Sequence, residues 1–217
     1  MNNQLNFPVG ISDFKKIREN DYYIDKSGLI KELLKRESAE VTLIIRPRRF
    51  GKTMGMGMLA HFLIYGPITG GYSMVLKFIY DEALCSAWMN QYPVVFLTLK
   101  DIDGLTFEDA YERLAVQISN LYKEHTYLLE SERMDSDDRT LFKELKSGSA
   151  GKIQIGQSLH TMSTALKDNT TLRFAVITGC LKIAKESIFT GTNNFVPDNI
   201  TDSRFNEYFG FTQEEVD

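Results

Sequence analysis

Apolar positions along this chain change their spacing several times, and each change marks an element. Val41 to Ile45 is a β-branched and leucine run without a charge, the pattern of a strand buried on both faces. From Met54 the spacing lengthens to that of a helix, through Met58, Phe62 and Tyr65. Upstream, Ser27 is placed to cap a helix whose apolar positions are Leu29, Ile30, Leu33 and Leu34. Gly66-Pro67 and Gly70-Gly71 break the chain, and Tyr92 to Lys100, YPVVFLTLK, predicts a second strand. Thr106 then caps an amphipathic helix to Glu124 with Phe107, Tyr111, Leu114, Ile118 and Leu121 on one stripe. The acidic stretch Glu130 to Asp138 predicts a solvated segment. A short helix through Leu141, Phe142 and Leu145 follows it, ending in the turn Ser147-Gly148-Ser149-Ala150-Gly151. A further stripe, Ile155, Leu159, Met162 and Leu166, precedes a third strand at Leu172 to Thr178.

The join between the first strand and its helix carries the chemistry. VTLIIRPRRFGKT runs a buried strand straight into Gly51-Lys52-Thr53, the end of a phosphate-binding loop. In such a loop glycine lets the backbone approach phosphate oxygens, successive N–H groups cradle them, lysine reaches the outer phosphates and the hydroxyl holds Mg²⁺. The following helix adds the positive end of its dipole. The full pattern G-x-x-x-x-G-K-[ST] is not met, because its first glycine falls on Arg46. Gly-Lys-Thr alone is common. The strand before it and the helical spacing after it raise its weight above that of a basic turn.

Composition changes this picture little. A chain of 217 residues with 43% hydrophobic content fills one α/β domain of ordinary size, and the expectation is a single domain over 1–217 with a helical segment, 1–40, packed on it. The formal charge of -4 argues against a generally basic nucleic-acid binder, although Arg46, Arg48, Arg49 and Lys52 form a local positive cluster suited to nucleotide phosphates. Cys85 and Cys180 lie far apart without metal-ligand spacing. The amino terminus has no basic region followed by an apolar segment, so a reduced, cytoplasmic protein without a membrane span is expected. His61, His125 and His160 lie on separate segments with no paired ligand spacing.

The strings PVGISDFKKIRENDYYIDKSGLIKELL, RPRRFGKT, YPVVFLTLKDIDGLTFEDAYERL, FAVITGCLKIAKESIFTGTNNF and FGFTQEEV occur in that order over nearly the whole chain. Together they resemble the bacterial AAA-ATPase-like family, whose members often carry a nuclease-like domain after the ATPase domain. The resemblance implies a P-loop NTPase-like parallel sheet flanked by helices, with ATP and Mg²⁺ as ligands. It places the loop Arg46, Pro47, Arg48, Arg49, Phe50, Gly51, Lys52 and Thr53 on the nucleotide, with Thr53 also on the metal. It explains Arg46, since the family writes its loop with arginines there. Thr178 falls where related ATPases sense the terminal phosphate, and Lys182 where the family often has arginine. The resemblance also allows an oligomer and a nuclease-like or other partner domain.

Two departures from the family pattern bear on activity. A P-loop ATPase needs a second apolar strand ending in carboxylates, one steadying Mg²⁺ and one orienting the attacking water. Similar chains place that strand and a helix between the stripe ending near Leu166 and the strand at Leu172. Here only Lys167-Asp168-Asn169-Thr170-Thr171 lies between them, too short for a crossover returning to a parallel strand. The expectation is a sheet missing one central strand. Val94 to Leu99, followed by Asp101 and Asp103, is the other apolar run ending in carboxylates, but Asp101-Ile102-Asp103-Gly104 reads first as a turn before a capped helix. The second departure is Gly55 and Gly57 in the first turns of the loop helix, which predict a loosely held element.

Three readings follow: an AAA-type ATPase coupling ATP binding or hydrolysis to conformational change, a hydrolysis-deficient pseudo-ATPase acting through contacts, and a truncated gene product. Phe205, Tyr208, Phe209 and Phe211 read as an exposed docking patch.

Overall fold

The computed structural model describes residues 14, 17, 23–35, 41–64, 81–100, 102–167, 169–180, 195–198 and 200–216. They divide into two compact units: Met1–Val94 with Thr170–Asp217, and Val95–Asn169.

Among the described residues the first unit is built on a parallel sheet of three strands, β1 (Val41–Ile45), β2 (Ala175–Gly179) and β3 (Phe195–Asp198), in the order β2-β1-β3. Val41 and Ile44 of the central strand are fully buried, as its charge-free sequence requires. The register sets Ile44 opposite Thr178 on one side and Asp198 on the other. Helix α1 (Gly28–Leu34) buries Leu29, Ile30, Leu33 and Leu34, and α2 (Lys52–Leu63) buries Met58, Leu59, Phe62 and Leu63. These side chains close one core with Phe14, Ile44, Phe205 and Phe209, and α3 (Glu82–Trp88) packs Leu84, Cys85 and Trp88 against it.

The α/β class and the parallel sheet agree with the sequence, and several details do not. Tyr92 to Lys100 forms no ladder among the described residues beyond one parallel bridge between Tyr92 and Ile64. An apolar run becomes a strand only where a neighbour accepts its hydrogen bonds. The third strand starts at Ala175 rather than Leu172. Phe195–Asp198 is a strand that periodicity alone missed. Its Pro197 cannot donate to a ladder and so reads against a strand, yet among the described residues β3 lies at the sheet edge, where one side of the backbone needs no partner.

Ser27 does not cap α1. Its backbone is already helical, its hydroxyl is buried without a partner, and Asp25 instead accepts the Ser27 N–H at 2.8 Å. Gly55 in α2 also has a packing role. Gly55 is buried, and a Cβ there would stand 3.1 Å from Cδ2 of Leu29, so the missing side chain lets α1 approach. The docking patch dissolves in the same way: Phe205 and Phe209 are 0% and 5% exposed and belong to the core, whereas Phe211 remains exposed. Tyr65, the Gly66-Pro67 and Gly70-Gly71 breaks, Asp101 and Lys182 lie outside the described residues.

The second unit is helical. In α4 (Phe107–Glu124) the Thr106 hydroxyl accepts the Asp109 N–H at 3.1 Å, the cap expected from Thr106, and the Asp109 carboxylate accepts the Thr106 N–H at 3.2 Å, which makes the cap reciprocal. After a 3-10 turn (Thr126–Glu130), α5 (Ser136–Ser147) is capped by Asp135 and stops at Gly148, whose φ of 79° is left-handed. Helix α6 (Lys152–Ala165) completes the unit, and Ile118, Leu145 and Ile155 are its fully buried centre. Asp103 is exposed and paired with Arg113 at 3.1 Å.

Candidate functional site

Strand β1 delivers the chain into the loop Arg46–Gly51, and α2 starts immediately after it. Two residues of the loop have left-handed backbones, Arg49 at φ 67° and Gly51 at φ 74°. Glycine adopts that region freely, while a non-glycine residue there costs free energy and persists where the surroundings fix it. Gly51 is the N-cap of α2 and has no side chain to accept the first N–H groups, so these and the helix dipole are available to an anion.

Lys52 folds back over the loop. Its ammonium donates to the carbonyl of Arg46 at 2.9 Å and to that of Pro47 at 2.5 Å. Two neutral carbonyls are weaker partners for an ammonium than phosphate oxygens, which make charge-assisted bonds. Thr53 stands half-buried in the first turn, and Pro47, Arg48 and Arg49 are exposed, with no ion pair on either arginine among the described residues.

Arg46 is held differently from its neighbours. Only 1% exposed, its guanidinium donates to the Asp198 carboxylate at 2.5 Å, to the backbone carbonyls of Ile45 and Asp198, and to Oδ1 of Asn206 at 3.3 Å. The Phe209 ring lies 5.5 Å from the guanidinium carbon. The side chain is thus engaged at the ends of the strands, and its carbonyl is what it offers to Lys52. Burial pushes the Asp198 carboxyl above the ordinary carboxylate range, with the Arg46 guanidinium pulling against it. Thr178, half-buried, is placed by the sheet two residues before the loop on the opposite side from Asp198, and the Arg46 N–H donates to the Gly179 carbonyl at 3.1 Å.

The donor set suits phosphate better than it suits a metal. An uncapped helix start, a left-handed glycine and an ammonium on replaceable partners are what phosphate oxygens need. For Mg²⁺ the loop offers the Thr53 hydroxyl. Among the described residues no group of three or more His, Cys, Asp or Glu side chains is gathered, and Asp198, the buried carboxylate nearest in register, is committed to Arg46.

Sequence reasoning located the loop and missed the parts behind it. Asp198, Asn206 and Phe209 come from the last quarter of the chain, and the one signal that marks Asp198 is its position after the short apolar run Phe195 to Pro197.

A family model described as predicted AAA-ATPase matches residues 8–158, most of the chain and all of the loop. The chain belongs to this predicted AAA-ATPase family. A curated relative, described as an uncharacterized protein in the vnfD 5'region of Azotobacter chroococcum mcd 1, is 29% identical to this family member over 237 residues. The alignment takes in 97% of the chain and 44% of the relative, so the chain spans less than half of the relative's length. Because 237 aligned positions exceed the 217 residues of the chain, the relative carries residues within the matched stretch that have no counterpart here. No solved structure matches. No helix among the described residues is long and apolar enough to cross a membrane.

Proposed function

We propose that this AAA-ATPase family domain binds ATP on the loop Arg46–Thr53, with Gly51 and Lys52 on the phosphates and Thr53 on Mg²⁺, and uses occupancy of the loop rather than rapid hydrolysis. The observation that carries the reading is the Lys52 ammonium resting on the Arg46 and Pro47 carbonyls at the uncapped start of α2. A triphosphate offers that ammonium stronger acceptors and offers the helix start the anion it lacks.

Turnover asks for more. The attacking water must be oriented and the metal steadied by carboxylates. Support for a hydrolysis-deficient domain comes from three directions. Asp198 is paired with Arg46, the sheet has three strands with β2 at one edge among the described residues, and five residues separate Leu166 from Leu172. A strand with its crossover takes about a dozen residues or more, more than the five present here. In this reading the acidic strand of a working ATPase has been lost, and the domain signals through contacts. The larger relative is in keeping with an attached domain, of nuclease-like or other kind, as the receiver.

Calorimetric titration of the purified chain with ATP and Mg²⁺, beside Lys52→Ala, tests the proposal. Saturable binding lost in the variant is expected. Retained affinity in Lys52→Ala, or no binding by a folded wild-type chain, rejects nucleotide binding at this loop. ATP turnover that disappears in Lys52→Ala rejects the hydrolysis-deficient part.

A further inference from the structure

The segment 204–216 touches the phosphate loop on one side and α1 on the other. On the loop side, Asn206 accepts from the Arg46 guanidinium at 3.3 Å and Phe209 lies against it. Gly210, left-handed at φ 79°, comes so close to Phe50 that a Cβ there would stand 3.3 Å from Cδ1 of its ring. Phe50 directly precedes the Gly51-Lys52 pair, and Arg46 supplies a carbonyl that Lys52 holds. The segment thus contacts the six-residue loop near both of its ends, at Arg46 and at Phe50.

The far side is fastened by charge. Lys26, a residue only 8% exposed, donates through its ammonium to both Glu215 oxygens at 2.7 Å and to the Glu207 carbonyl at 2.6 Å. Arg204 donates to the Glu32 carboxylate at 3.1 Å and to the Glu32 carbonyl at 2.7 Å. Where Gly28 meets Tyr208, a Cβ would stand 2.8 Å from the ring, so Tyr208 occupies the space that a side chain at the start of α1 would fill.

We infer that segment 204–216 is a latch on the phosphate loop: seated, it holds the loop in its phosphate-binding form, and an occupied loop in turn holds the latch closed. Resting on the nucleotide reading above, the inference adds the regulation of that site. Its physics is linkage. A contact that preorganises the loop raises affinity by the factor by which ligand stabilises the contact. Occupancy at Lys52 is then felt at Glu207 and Glu215, on the opposite side of the segment.

The experiment is hydrogen exchange of the full chain, with and without saturating ATP and Mg²⁺, read on peptides covering 204–216, together with the ATP affinity of Glu215→Gln and Gly210→Ala. Exchange slowed about fivefold or more by ATP, and affinity weakened about fivefold in both variants, are expected from coupling of the usual size. Lys31→Ala, which breaks an exposed pair with Asp81 in the same unit, is the control for a general loss of stability and leaves affinity unchanged. Saturable ATP binding without slowed exchange, or unchanged affinity in Glu215→Gln and Gly210→Ala, overturns the latch and spares the nucleotide reading. Absence of saturable binding overturns both.

Discussion

Arg46 and Asp198 meet at 2.5 Å across the ends of two neighbouring parallel strands, both side chains almost completely buried. The pair turns a degenerate loop into an anchored one. Where the usual loop begins with glycine, this chain has a residue whose backbone carbonyl serves Lys52 while its side chain ties β1 to β3 and to Asn206. The arginine is therefore a structural part of the loop, fixed from behind.

Breaking the pair from one side leaves a buried, unanswered charge. Asp198→Asn is expected to destabilise the first unit by about 3–5 kcal/mol, with Arg46 already carrying one unpartnered buried donor, its Nε. Urea unfolding followed by the fluorescence of Trp88, the single tryptophan, reads this directly, since its ring packs on Tyr92 and Phe174 in that unit. A loss below 1 kcal/mol would mean that the carboxylate does not hold Arg46 in solution.

Glycines at superficially similar helix positions should respond differently. Gly156 lies within α6 with nothing within 4 Å of an added Cβ, so Gly156→Ala stabilises by about 0.5–1 kcal/mol through helix propensity. Gly55→Ala adds the same propensity but pushes a methyl to 3.1 Å from Leu29, and repulsion cancels the gain or reverses it. Thermal unfolding of the two variants separates these outcomes. A stabilised Gly55→Ala would show that α1 can yield at that contact.

Capping in the second unit makes a third expectation. Thr106→Ala removes the acceptor for the Asp109 N–H and dismantles the reciprocal pair, costing about 1 kcal/mol at the start of α4. Amide exchange over Thr106–Ala110 should accelerate while that at Ile118 and Leu121 changes little. Uniform acceleration along the helix would instead mark a cooperative unit.

These cases show what the amino-acid pattern could disclose. The loop, Thr106 and the helical stripes are local: the residues that define them are neighbours in sequence, and their spacing is the physics itself. Asp198, the Gly55 contact with Leu29 and the seat of Phe209 depend on which distant segment arrives, and spacing does not carry that information. Tyr92 to Lys100 failed for the converse reason. Its composition suits a strand, but a strand is a property of two segments, and among the described residues it has no ladder partner. Gly55 read as a weak point because propensity treats a helix as isolated, whereas here the absent side chain is the contact.

A pH dependence should come from His125, at the carboxyl end of α4. Its Nδ1 lies 3.1 Å from the Tyr127 hydroxyl, while Nε2 is buried without a partner. Burial holds the imidazole pKa below its ordinary value, with nearby Glu124 acting the other way. The unfolded chain, titrating near about 6.5, thus takes up the proton first. Stability from this group is full above that pH and is lost as pH falls through the folded-state value. Exchange at the last turn of α4 and through Thr126–Glu130 should accelerate between pH 7.5 and 5, after correction for intrinsic rates. His125→Gln, which can still bond Tyr127 and does not titrate, should flatten that dependence; an equally steep profile in the variant would assign the acid sensitivity to another group.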